Sequence, residues 1–141
     1  MQNLFLVLPM ASLVLLTFVM LLLMLYFRIK AVRLKQISPR YFKLNKGDEI
    51  PDHIVAITQN YHNLLELPPL FYVVCILAMM LNSDTDYFLI LAWCYVGLRC
   101  LHSLIHATYN HILHRLATFS LSFVVLILMW VKVVLISVGH S

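Results

Sequence analysis

Along the chain, apolar runs far longer than a strand or a surface helix alternate with short polar breaks. Residues 4 to 27 carry no charged side chain. At about 1.5 Å per residue that run reaches roughly 36 Å, enough to cross a hydrocarbon core with some tilt. It is too long for a cleaved signal peptide, and the uncharged Met1-Gln2-Asn3 start lacks the basic flank of one, so it is expected to stay in the mature protein. Three further apolar stretches follow, over about 53–81, 87–113 and 116–138. The second opens on the helix-start pair Pro51-Asp52 and contains Pro68-Pro69, which must kink it or interrupt its hydrogen bonding. Lys132 lies near enough to the end of the fourth to snorkel toward headgroups. Between the spans lie a long basic segment, residues 28–52, a short acidic turn, Asn82-Ser83-Asp84-Thr85-Asp86, and a tight histidine-rich turn around His111 to Arg115. The pattern predicts an all-α integral membrane four-helix bundle, with residues 1–141 forming one domain.

Composition narrows the function classes. Of 141 residues, 62% are apolar and 11% charged, and four spans of about 20 residues leave no room for a separate soluble catalytic domain. The net charge of +4 does not point to nucleic acid, because seven of the ten Lys and Arg residues fall between Arg28 and Lys46. That bias sets topology: the basic first loop and the Arg115 turn are expected on the cytoplasmic side, both termini and the acidic turn on the other, in a bacterial inner membrane. Cys75, Cys94 and Cys100 lie in apolar stretches without the close spacing of a zinc or redox motif, and read as small core residues.

Ionisable groups inside spans are costly and mark interior contacts or wet cavities. Gln59, Asn63 and Glu66 recur at four and three residues, forming one stripe on the second span. Arg99, His102, His106 and either Tyr109 or Asn110 repeat that spacing on the third. Counting helical rise from the shared turn places Glu66 about 22 Å below Leu81 and Arg99 about 18 Å below Tyr87. An ion pair between them, within the chain or with a neighbouring subunit, would let both charges be tolerated. Asn63 falls level with His106, and Arg115 lies at the cytoplasmic mouth. Polar stripes can serve simply as interhelical glue, but seven or so groups opening on a basic face suggest a pocket for a polar, anionic ligand. His102 and His106, at i and i+4, raise a haem or metal reading, against which the carboxylate and thiolate ligands that would strengthen it are sparse; no metal is expected.

The run Asn63-Leu-Leu-Glu66-Leu-Pro-Pro69-Leu-Phe71, followed by Arg99, His102, the position of His106 and Arg115 sixteen residues after Arg99, resembles the MAPEG family, the membrane-associated proteins in eicosanoid and glutathione metabolism, and its microsomal prostaglandin synthase branch. The resemblance covers essentially the whole chain. It implies a homotrimer of four-helix subunits with glutathione as co-substrate, bound between neighbouring subunits. Arg115 would stabilise the glutathione thiolate, and Asn63, Glu66 and Arg99 would build the binding site. Gln59, His102, His106, Tyr109 and Arg28 complete the expected cofactor-binding set. An apolar second substrate would arrive from the lipid. The chain departs from the pattern at Gln59 and His62, where many members carry Arg, and at His106, where they carry Tyr, with Tyr109 about one turn further on. Arg28, Lys30 and Arg33 could restore the positive charge. Two activities follow as expectations: a glutathione-dependent membrane transferase or peroxidase acting on hydrophobic electrophiles or lipid hydroperoxides, or a non-catalytic scaffold or accessory subunit of a larger membrane complex that keeps the fold without its chemistry.

Overall fold

The computed structural model describes residues 5–44, 47, 49–83 and 85–139. Its elements are α1 (Val7–Arg33), a short α2 (Tyr41–Leu44), α3 (Asp52–Glu66), α4 (Pro68–Met80), α5 (Thr85–Ala107) and α6 (Ile112–Gly139). Four stretches are long and apolar enough to cross a membrane: Val7–Arg33, Asp52–Met80, Asp86–Ala107 and Ile112–Gly139. The second is α3 and α4 joined at Leu67, whose break is the expected effect of Pro68-Pro69: two prolines remove two N–H donors, and they occupy the first two positions of a new helix behind its N-cap Leu67.

Helix ends explain where the spans stop. After α1 and α4 the chain turns through left-handed Lys35 (φ 55) and Asn82 (φ 47). In both turns the next amide bonds back across the last turn, Gln36 N to Ala31 O at 2.9 Å and Ser83 N to Ala78 O at 3.1 Å. The third span ends at Ala107 rather than near 113, because left-handed Asn110 (φ 48) folds its own N–H back onto Ile105 O at 2.8 Å. The fourth starts correspondingly earlier, at Ile112. Residue 4, the expected start of the first span, lies outside the described residues.

Helices α5 and α6 make the most extensive pairing; α1 lies across α3 and α5, and α4 packs on α6. The core is filled by Leu13, Phe71, Phe88, Tyr95, Leu126 and Met129, with Phe71 and Tyr95 stacked at 4.5 Å and 10° across α4 and α5. Outer faces stay apolar, with Leu8, Leu22, Ile90, Leu104 and Leu135 all exposed. Cys94 and Cys100 sit on these outer faces, whereas Cys75 packs in the core, so only one of the three cysteines is the core residue the sequence suggests. Lipid is as apolar as leucine, so the association of these helices rests on close packing and buried polar contacts. At the acidic-turn end the Lys132 ammonium stands 5.4 Å over the Tyr87 ring. At the opposite end Ala31, Ile37 and Ile54 form a small second core that pins the basic segment against α1 and α3.

Candidate functional site

The turn that ends α5 folds the start of α6 back along α5, and a cleft of about 410 Å³ opens beside α3, lined by Asn63, His102, Ile112, Arg115, Leu116 and Phe119. Three of the residues singled out in the sequence, Asn63, His102 and Arg115, thus share one wall system. His102 shares this cleft with Asn63 in place of His106, which is buried with both ring nitrogens lacking a hydrogen-bond partner.

His102 is fixed by α6. Its Nδ1 lies 3.1 Å from Arg115 O and 3.3 Å from Thr118 Oγ1. A carbonyl only accepts, and the Thr118 hydroxyl donates back to His114 O or Arg115 O. Nδ1 therefore carries the proton, which leaves Nε2 as a buried acceptor without a partner. The half-buried Arg115 donates through Nη1 to Asn110 Oδ1 at 2.8 Å, and its Nε is buried and unpartnered. A cation and an imidazole lining one cleft form a site suited to an anionic or thiol-bearing group.

Arg28 and Gln59 line a second cleft, also about 410 Å³, between α1, α2 and α3, with Thr58 and His62. Arg28 Nη2 bonds Thr58 Oγ1 at 3.3 Å, and its guanidinium lies 5.2 Å from the Phe42 ring. Gln59, His62 and Glu66 are exposed along α3, so the polar stripe forms an outward ridge between the two clefts. The buried face of α3 is Ile54, Ala56, Ile57, Asn60 and Leu64.

Two expectations are corrected. No ion pair joins Glu66 and Arg99 within the chain: the carboxylate is on the exposed ridge, while Arg99 is 0% exposed inside the bundle. Arg99 Nε donates to Tyr95 Oη at 3.3 Å, and its guanidinium lies 5.0 Å from the Phe119 ring, with both Nη atoms unpartnered. Phe119 thus stands between Arg99 and the cleft that Phe119 itself lines. Tyr109 is not on the helical stripe; it belongs to the turn, exposed, with its hydroxyl 2.8 Å from His114 Nδ1.

Sequence periodicity missed Asn60, Ser103, Thr118 and Phe119. Ser103 Oγ donates to Asn60 Oδ1 at 3.1 Å in a buried α3–α5 contact. The available signal for both was simply polarity inside an apolar span. Among the described residues, no group of three or more His, Cys, Asp or Glu could hold a metal ion.

No curated protein and no solved structure matches the chain. The sequence model of the MAPEG family, in contrast, matches residues 6–135, a range that covers the first three membrane helices, most of the fourth and both clefts. The chain belongs to the MAPEG family.

Proposed function

We propose that this protein is a glutathione-dependent membrane transferase or peroxidase acting on hydrophobic electrophiles or lipid hydroperoxides, with the Asn63–His102–Arg115 cleft holding the thiol end of glutathione. The observation that carries the reading is that Arg115 and His102 line one cleft with Asn63, each with a buried nitrogen that has no hydrogen-bond partner. A free thiol of pKa near 8.5 is mostly protonated at neutral pH, and a fixed cation beside it raises the thiolate fraction that attacks. Arg115 supplies that cation, and His102, held by the Arg115 carbonyl, lines the same cleft with its Nε2 left as an acceptor. In transfer, a sulfur–carbon bond forms as the leaving group departs with its electron pair. With a hydroperoxide, sulfur attacks the terminal oxygen, the O–O bond breaks, and the alkoxide takes a proton; a second glutathione then yields the disulfide and water.

Arg28, Gln59 and His62 offer their cleft to a carboxylate of the tripeptide. Glu66, exposed on a membrane-spanning helix, is costly against lipid, which favours a second copy of the chain covering the α3 ridge, as in a homotrimer. The apolar groove of Leu70, Phe123, Leu126, Trp130 and Val134 between α4 and α6 is a route for a lipid-phase substrate. The basic segment is placed on the cytoplasmic side by its charge.

The test is the ultraviolet difference spectrum of glutathione added to the detergent-purified protein, wild type against Arg115→Ala. A thiolate band that Arg115→Ala abolishes, together with loss of conjugation, is the expected result. No band and no binding in wild type would transfer the assignment to the scaffold or accessory-subunit role.

A further inference from the structure

The turn between α5 and α6 carries Asn110, which the helical spacing of the third span reaches only as an alternative to Tyr109. Asn110 adopts φ 48, and its N–H closes onto Ile105 O at 2.8 Å. Left-handed backbone admits Gly, Asn and Asp far more readily than other residues. The Asn110 side chain is meanwhile engaged: Oδ1 accepts the 2.8 Å bond from Arg115 Nη1.

Arg115 is therefore gripped at both ends. Its carbonyl is bonded by His102 from α5, and its guanidinium is held by the turn. A guanidinium is planar and rigid, so anchoring Nη1 fixes the plane and with it the direction of the unpartnered Nε. Of the residues that the backbone favours, only Asn performs both tasks. Gly would leave Nη1 unheld, and Asp would hold it while neutralising the charge. The turn is braced separately by Tyr109 and His114, so its shape does not depend on the Asn110 amide.

We infer that Asn110 is a positioning residue for Arg115: a neutral clamp that aims the guanidinium at the cleft without quenching its charge. This rests on the thiolate-stabilising reading of Arg115. The titratable groups around the clamp are His102 and His106 on α5, Tyr109 and His111 in the turn, and His114 on α6, with Glu66 one turn beyond Asn63 on the α3 ridge. A carboxylate at position 110 would stand closer to Arg115 than that ridge does.

The test follows the glutathione thiolate band against pH in the full-length detergent-solubilised protein, with Asn110→Asp, Asn110→Gly and Arg115→Ala beside wild type. Asn110→Asp is expected to move the midpoint of thiolate formation up by about one pH unit. Its kcat/KM should fall about tenfold at neutral pH and recover as pH rises, a rescue that a misfolded turn would not show. Asn110→Gly keeps the left-handed turn and is expected to lower kcat several-fold with thermal stability retained. In the Arg115→Ala background, Asn110→Asp should add nothing. If Arg115→Ala shifts the midpoint while both Asn110 variants superimpose on wild type, the clamp is refuted and the thiolate reading stands. If Arg115→Ala itself superimposes on wild type, the thiolate reading fails and the clamp with it.

Discussion

The buried contact between Tyr95 and Arg99 permits a quantitative test of how this bundle tolerates a cation in its interior. Arg99 Nε donates to Tyr95 Oη at 3.3 Å, and both residues are 0% exposed. Tyr95→Phe deletes only the hydroxyl: the ring can still stack on Phe71 and still lie under the guanidinium. Hydrogen bonds between membrane helices average about 0.6 kcal/mol when neutral groups can find other partners, but Tyr95 and Arg99 lie one turn apart on the same helix, α5. This one involves a formal charge with no water to replace the lost oxygen, so the charge-assisted range of roughly 1.5–3 kcal/mol applies. With about 2 kcal/mol lost, and about 2–4 °C per kcal/mol for a chain of this size, Tyr95→Phe should lower the melting temperature in detergent by about 4–8 °C. Arg99→Met leaves the phenol unpaired and should cost a similar amount. The double variant Tyr95→Phe/Arg99→Met leaves neither orphan, so it should be more stable than the sum of the two losses predicts, with a coupling of about 2 kcal/mol. The measurement is a thermal melt of all four proteins in one detergent. A Tyr95→Phe melt within about 1 °C of wild type, or strictly additive losses, would refute the reasoning.

Two further outcomes follow from the turns. Lys35 holds φ 55 at the end of α1 without a glycine's freedom; Lys35→Gly should raise stability by about 1 kcal/mol, read as a higher melting temperature in detergent. Asn82 in the acidic turn is exposed, whereas Ser83 beside it is 8% exposed. A single cysteine at position 82 should react with an impermeant thiol reagent in intact bacterial cells, and one at position 35 only after permeabilisation; the reverse pattern would invert the proposed orientation.

The legible parts of this protein were those that depend on one helix at a time. Span number and the break at Pro68-Pro69 follow from run length and proline chemistry, and the structure agrees with both. Helix ends were less accessible. Asn110 reads as a turn former only if one already knows that the helix stops there, and a left-handed lysine at position 35 carries no compositional signal at all. The same gap hid the clamp on Arg115, which joins residues on either side of a helix boundary.

What periodicity could not supply was rotation about the helix axis. A stripe of Gln59, Asn63 and Glu66 on an apolar helix has two placements: facing the other helices of its own chain, or facing a further chain. Burying it within the chain predicts a Glu66–Arg99 pair, because the two lie at one depth. The structure takes the other placement, turning Asn60 and Leu64 inward and Glu66 out. Depth fixes only one coordinate of a contact; azimuth is set by which apolar face packs better, and on α3 that face holds Ile54, Ala56, Ile57 and Leu64. Arg99 is then left inside with a phenol and two aromatic faces but no carboxylate among the described residues. Such a cation is held by packing and polarisability rather than by neutralisation. That leaves Glu66 to the surface where a second copy of the chain is proposed to dock.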